Sequence, residues 1–218
     1  MKGFLMVTFS FLMEIIAAQP LARYNLYPNN PNFTTPAATG LTKCIEFNAT
    51  DMHQWISIKE APMVQSFSVQ KGRHFSQTKK HGLGANVVRD VNGPSKTLGG
   101  ELIYSFHFLV GRSRTSWLSL GLSGNIEQRS MDESGFSPIN DPLVTRGIFQ
   151  EIVYNASSGI YLYNEKYFVG FAVYNLLPVN STLGLGYGGD RYYLSAQGGY
   201  MFTNHRLPVK IQTSFQAS

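Results

Sequence analysis

The stretch Glu101-Leu102-Ile103-Tyr104-Ser105-Phe106-His107-Phe108-Leu109-Val110 alternates in steps of two. Leu102, Tyr104, Phe106, Phe108 and Val110 fall on one side, while Glu101, Ser105 and His107 fall on the other. Successive side chains of a strand point to opposite faces, so this run predicts a β-strand with one apolar and one mixed face. The same contrast recurs at Leu118, Leu120 and Leu122 against Ser119, Gly121 and Ser123. It recurs once more at Leu207, Val209, Ile211 and Phe215 against Lys210, Gln212, Ser214 and Gln216. Between Tyr167 and Val173 the second face carries Phe168, Gly170 and Ala172, which suits a crowded or curved wall.

Turn residues separate these runs at Asn92-Gly93-Pro94, Asn164-Glu165-Lys166 and Thr203-Asn204-His205. Short turns between neighbouring strands imply an up-and-down meander without crossover helices. One long polar connection is expected from about Gln128 to Gly147. A long loop at one side and tight turns at the other is the asymmetry of outer-membrane barrels.

Composition points the same way. Only 14% of the 218 residues are charged, below the roughly 25% of soluble domains. Aromatic residues reach 13% and glycine occupies 21 positions. Tyr161, Tyr163 and Tyr167 flank one hairpin and Tyr192, Tyr193, Tyr200 and Phe202 bracket the next strand, as an aromatic girdle at a membrane interface would. The net charge is +5, but the Lys and Arg residues are scattered near turns rather than gathered in a stripe, so no nucleic-acid partner is expected.

The N-terminus reads as an export signal over residues 1–18: Lys2, an apolar run from Gly3 to Met13, and small residues at Ala17-Ala18. That run is too short to span a membrane as a helix, which takes ~20 residues, so any membrane crossing must use strands. Residues 19–40, rich in Asn, Pro and Thr, read as an extended leader, and 41–218 as a partial barrel domain. The expected fold is all-β: an antiparallel up-and-down outer-membrane β-barrel, incomplete, of about nine strands. Single-chain bacterial barrels usually have an even number, and an open sheet edge in lipid leaves backbone groups without partners.

Several motifs, in order along nearly the whole chain, resemble the PorP/SprF membrane proteins of the type IX secretion and gliding apparatus in Bacteroidetes. Asn30-Pro31 and Thr35-Pro36-Ala37-Ala38-Thr39-Gly40 are similar to the family's doubled Asn-Pro leader ending in Ala-x-Gly, with Thr35 in place of the second Asn. Gln54-Trp55, Ala61-Pro62 and Gln65-Ser66-Phe67-Ser68-Val69 follow, then Gly82-Leu83-Gly84, Asp90 and Gly93-Pro94. Leu118 to Gly124 and Phe168 to Leu177 complete the series. The resemblance implies a non-enzymatic outer-membrane component that helps export or anchor surface proteins. It implies as partners other type IX secretion and gliding components, secreted cargo proteins and outer-membrane lipid. Family members typically continue through several more strands, so it also implies a chain truncated at its C-terminus.

No catalytic, cofactor-binding or metal site is expected. His53, His74, His81, His107 and His205 lack the close spacing of a zinc motif, and Cys44 stands alone, read as a small apolar residue in a strand. Gly184-Leu185-Gly186-Tyr187-Gly188-Gly189-Asp190 lacks the Lys-Ser or Lys-Thr ending of a phosphate-binding loop. Asp132-Glu133 reads as solvated loop charge, no Gly-x-Ser-x-Gly elbow occurs, and the sequons at Asn32, Asn48, Asn155 and Asn180 read as chance. Two other functions use the same alternation: a soluble secreted β-sandwich for adhesion or carbohydrate binding, and an outer-membrane diffusion channel.

Overall fold

The structure, a computed structural model, describes residues 30–55, 57, 61–111, 115–132, 147–178, 192–203 and 210–217. Nine antiparallel strands follow one another in chain order within one sheet: β1 (Ile45–His53), β2 (Met63–Ser76), β3 (Lys79–Asn92), β4 (Ser95–Val110), β5 (Ser116–Asp132), β6 (Ile148–Tyr163), β7 (Tyr167–Tyr174), β8 (Tyr193–Thr203) and β9 (Lys210–Ala217). The sheet curls into an incomplete barrel, with β1 and β9 as its edges among the described residues. The up-and-down order follows from the turns. Gly93 takes φ +59°, a conformation that glycine adopts without steric cost, and Gly93-Pro94 closes β3 onto β4. At the opposite end the Asn164 side-chain oxygen accepts the backbone N–H of Lys166 and of Tyr167, fixing the β6–β7 hairpin.

The connections differ in length at the two ends. One end carries the short turns Gln77-Thr78 and Asn164–Lys166 and the five-residue link 111–115. The other carries the connections 54–62, 133–147 and 175–192, with Gly93-Pro94 as its one tight turn among them. The polar connection starts later than the sequence suggests. Gln128 to Asp132 continue β5 and pair with Ile148 to Ile152, because backbone hydrogen bonding continues regardless of side-chain polarity. The rest of that connection, 133–146, lies outside the described residues.

Burial is inverted relative to a soluble protein. On β4 Leu102 is 72% exposed while Ser105 and His107, on the opposite face, are fully buried. Leu83 on β3 and Leu122 on β5, both opposite Tyr104, are exposed beside it. Phe67, Leu120, Phe171 and Leu194 extend this outer apolar surface, whereas Ser68, Asn86, Ser119, Ser157 and Gln197 are buried within the concave face. A contiguous apolar exterior of this extent marks contact with lipid or protein rather than water.

The concave face is filled by the chain's own N-terminal segment. Residues 30–40, expected as part of an extended leader, form two 3-10 turns, η1 (Pro31–Phe33) and η2 (Pro36–Ala38). The physical reason is that Pro31 and Pro36 lack an N–H for a sheet ladder yet suit the first position of a helical turn. Thr34 and Thr35 donate their backbone N–H to the carbonyl of Pro31, and Thr39 donates to that of Pro36. Ala37, Ala38, Thr35 and Thr39 are completely buried. Among the described residues the apolar cluster around them is small: Ala37, Ala38 and Tyr161, flanked by Leu41, Tyr163 and Phe168.

Candidate functional site

Polar groups of the strands meet the segment along its whole described length. At its start Asn30 donates from its side-chain amide to Ser68 Oγ at 2.7 Å. Asn32 donates to Asn86 Oδ1 at 3.2 Å, and Asn86 in turn donates to a Glu101 carboxylate oxygen at 2.9 Å. Thr34 donates its hydroxyl to Gln197 Oε1 at 2.7 Å, which joins the segment to β8. The Tyr174 hydroxyl, on a ring stacked against Tyr193 at 4.7 Å between centroids, donates to the Phe33 carbonyl.

Toward its end the contacts are made to the main chain. Ser105 Oγ donates to the Thr39 carbonyl at 2.6 Å, and His107 Nε2 lies 2.9 Å from the same oxygen. A carbonyl only accepts, so Nε2 carries the proton and Nδ1 accepts the Tyr163 hydroxyl at 3.1 Å. The Gly40 N–H donates to Gln70 Oε1 at 3.0 Å, and Gln70 is held from behind by donating to Glu46. Lys80 donates to the Leu41 carbonyl at 2.6 Å while its ammonium lies 5.2 Å from the Trp117 ring centroid and 5.1 Å from that of Tyr163. Aromatic faces partly replace the water that this buried cation gives up.

Glycines let the backbones approach. A Cβ built on Gly121 would collide with the main chain of Pro36 and Ala37, and one on Gly82 with the Thr39 carbonyl and Ser105 Oγ. Gly72 and Gly159 lie equally close to the Thr42 carbonyl and the Thr35 hydroxyl, so a row of glycines on β2, β3, β5 and β6, interrupted by Ser105 of β4, runs across the wall. Beside it, Ser119 Oγ, Asn125 Oδ1, Ser195 Oγ and Gln197 Nε2 are buried without a hydrogen-bond partner among the described residues. Their grouping on the concave side fits an interior with room for ordered water.

The arrangement corrects part of the expected aromatic girdle. Tyr161 and Tyr163 point inward: Tyr161 packs on Ala37 and Ala38, and Tyr163 bonds His107. The reason is parity, since both belong to the set Asn155, Ser157 and Gly159 that faces the segment. Tyr192 and Tyr200 are exposed. Cys44 is also displaced from the expected strand. It precedes β1 and its thiol is free and exposed. His107 lies in the inner network, His53 pairs with Asp51 at 2.9 Å, and His74 and His81 contact Trp117 and Phe106 respectively. Among the described residues no three His, Cys, Asp or Glu side chains gather as metal ligands would. His205 and the 184–190 glycine stretch lie outside the described residues. The contact between the leader and the inner wall was not anticipated; the only hint in the sequence is that Gly72, Gly82, Gly121 and Gly159 coincide with polar-face positions.

No curated protein and no solved structure matches this chain significantly. The family described as type IX secretion system membrane protein PorP/SprF matches residues 16–218. Together with a sheet that is apolar outside and polar inside, that match places the chain, as a membrane β-protein, in the PorP/SprF family of the type IX secretion system.

Proposed function

We propose that this protein is a non-enzymatic outer-membrane wall component of the type IX secretion and gliding apparatus, reached through the 1–18 export signal, that helps export or anchor surface proteins. The observation that carries the reading is the coincidence of the family match with the outer apolar band around Leu102. The long connection from β5 to β6 is the contact for secreted cargo or a sister component, because long loops of such barrels face outward. Replacing residues 133–146 by a short Gly-Ser link should cut surface delivery of a type IX cargo while the barrel still fractionates with the outer membrane. Normal delivery would remove the loop from this role.

The competing functions are less well supported. A soluble sandwich would bury its apolar faces between two packed sheets, and the described strands belong to one. Release by carbonate washing without detergent would restore that alternative. An open diffusion channel needs an unobstructed interior, and residues 30–41 lie across it. Single-channel recordings on the reconstituted chain should therefore show no steady conductance.

A further inference from the structure

The inner face holds its resident segment by both its short polar side chains and its backbone: Asn30, Asn32 and Thr34 bond Ser68, Asn86 and Gln197. Ser105, His107, Lys80 and Tyr174 all bind main-chain carbonyls, and Gln70 accepts a main-chain N–H. Backbone groups exist in every polypeptide, so these contacts select an extended or turned chain with little regard to its side chains. The glycine lane adds a steric rule: residues opposite Gly121 and Gly82 approach so closely that only small side chains fit nearby, as Ala37, Ala38 and Thr39 do.

The hold on that segment is also of an exchangeable kind. Its buried side chains are Asn, Thr, Pro and Ala, and the buried apolar cluster that anchors it among the described residues is small: Ala37, Ala38 and Tyr161, with Leu41, Tyr163 and Phe168 packed against it. A groove emptied of it would present Ser, Asn, Gln and His groups that water can satisfy, so an open state is not penalised as an emptied apolar pocket would be. Two tolerable states of one segment are what a ligand needs in order to shift a population.

The geometry points to the concave face as a polypeptide-binding groove, occupied in cis by residues 30–41, that accepts a small-residue segment of another protein when the resident segment leaves. The ligand class is a peptide rich in Ala, Thr, Pro and Asn, held through its short polar side chains at one end and its backbone at the other. This inference stands on the inner wall alone, so peptide binding can fail while the requirement for cargo delivery stands, and the reverse.

The test uses the full chain in detergent and a fluorescent peptide with the sequence of residues 30–41. Ala37→Glu combined with Ala38→Glu should eject the resident segment without altering the groove, and this variant should bind the peptide saturably. The parent, whose groove is filled, should bind it at least about tenfold more weakly. Adding Gly121→Val should abolish binding, since its side chain fills the lane. A folded variant, recognised by heat-modifiable mobility, that binds no better than the parent overturns the proposal, as does binding that survives Gly121→Val. Hydrogen exchange on the parent gives a result independent of the variants. The amides of Ala38, Thr39 and Gly40 should exchange faster than the β4–β5 ladder; equal protection would make the segment a fixed part of the wall and end the proposal.

Discussion

Replacing Leu102 by Arg should destabilise this protein strongly in lipid, although the same change at an exposed site in a soluble protein would be nearly silent. Leu102 is the eighth of sixteen residues in β4, is 72% exposed, and lies opposite Ala85 on β3 and Gly124 on β5. Neither neighbour can shield or neutralise a guanidinium. An Arg on the lipid face of a barrel costs about 2–4 kcal/mol at the bilayer midplane and falls toward about 0–1 kcal/mol near the interfaces. The central value corresponds to a loss of roughly 100-fold in the folded-to-unfolded ratio. Gln128 on β5 is the internal control, because it faces outward toward the long-loop end, where Gln128→Arg should cost little. Urea unfolding in liposomes, followed by tryptophan fluorescence from Trp55 and Trp117, reads both. If Leu102→Arg stayed within about 0.5 kcal/mol of the parent, the ordinary range for a water-exposed site, the outer band would not face lipid.

Three further outcomes follow from the turns and the inner network. Asn164→Ala removes the acceptor for two hairpin N–H groups and should cost about 1–2 kcal/mol in the same unfolding assay, with Asn164→Asp retaining most of the stability. His107→Leu leaves the Tyr163 hydroxyl without its partner and removes a donor from the Thr39 carbonyl inside the wall; a loss of about 1–3 kcal/mol is expected. Cys44 lies at the short-turn end, which on the proposed outer-membrane reading would face the periplasm, so an impermeant maleimide should label it only after the outer membrane is breached. Labelling on intact cells would place the short-turn end outside instead.

The strand run around Leu102 was legible because alternation is a local property: Ser105 and His107 had to share a face whatever lay beyond it. The hairpin at Asn164 was legible for the same reason. The direction of the aromatic rings was not. Tyr161 and Tyr163 look like girdle residues in sequence, and only the arrival of Ala37 and Ala38 from more than a hundred residues upstream turns their face into an interior. Nor did polarity locate the end of β5, since Gln128 to Asp132 pair with β6 through backbone groups that carry no sequence signal. The leader was legible as Pro-rich and non-sheet, but its partners Ser68, Asn86 and Gln197 are scattered over three strands.

The bond between Thr34 and Gln197 sets an order of events. Each hairpin of the meander closes a short loop and can pair as soon as its two strands exist. The Thr34 contact joins positions 163 residues apart, the longest closure among the described side-chain hydrogen bonds. Closure entropy grows with separation, and Gln197 is not in place until β8 is in register, whereas Ser68, Asn86, Gln70, Ser105 and His107 lie on β2, β3 and β4. The Thr34 bond is therefore expected to close after the segment's contacts to the earlier strands, as the clasp that ties residues 30–40 to β8.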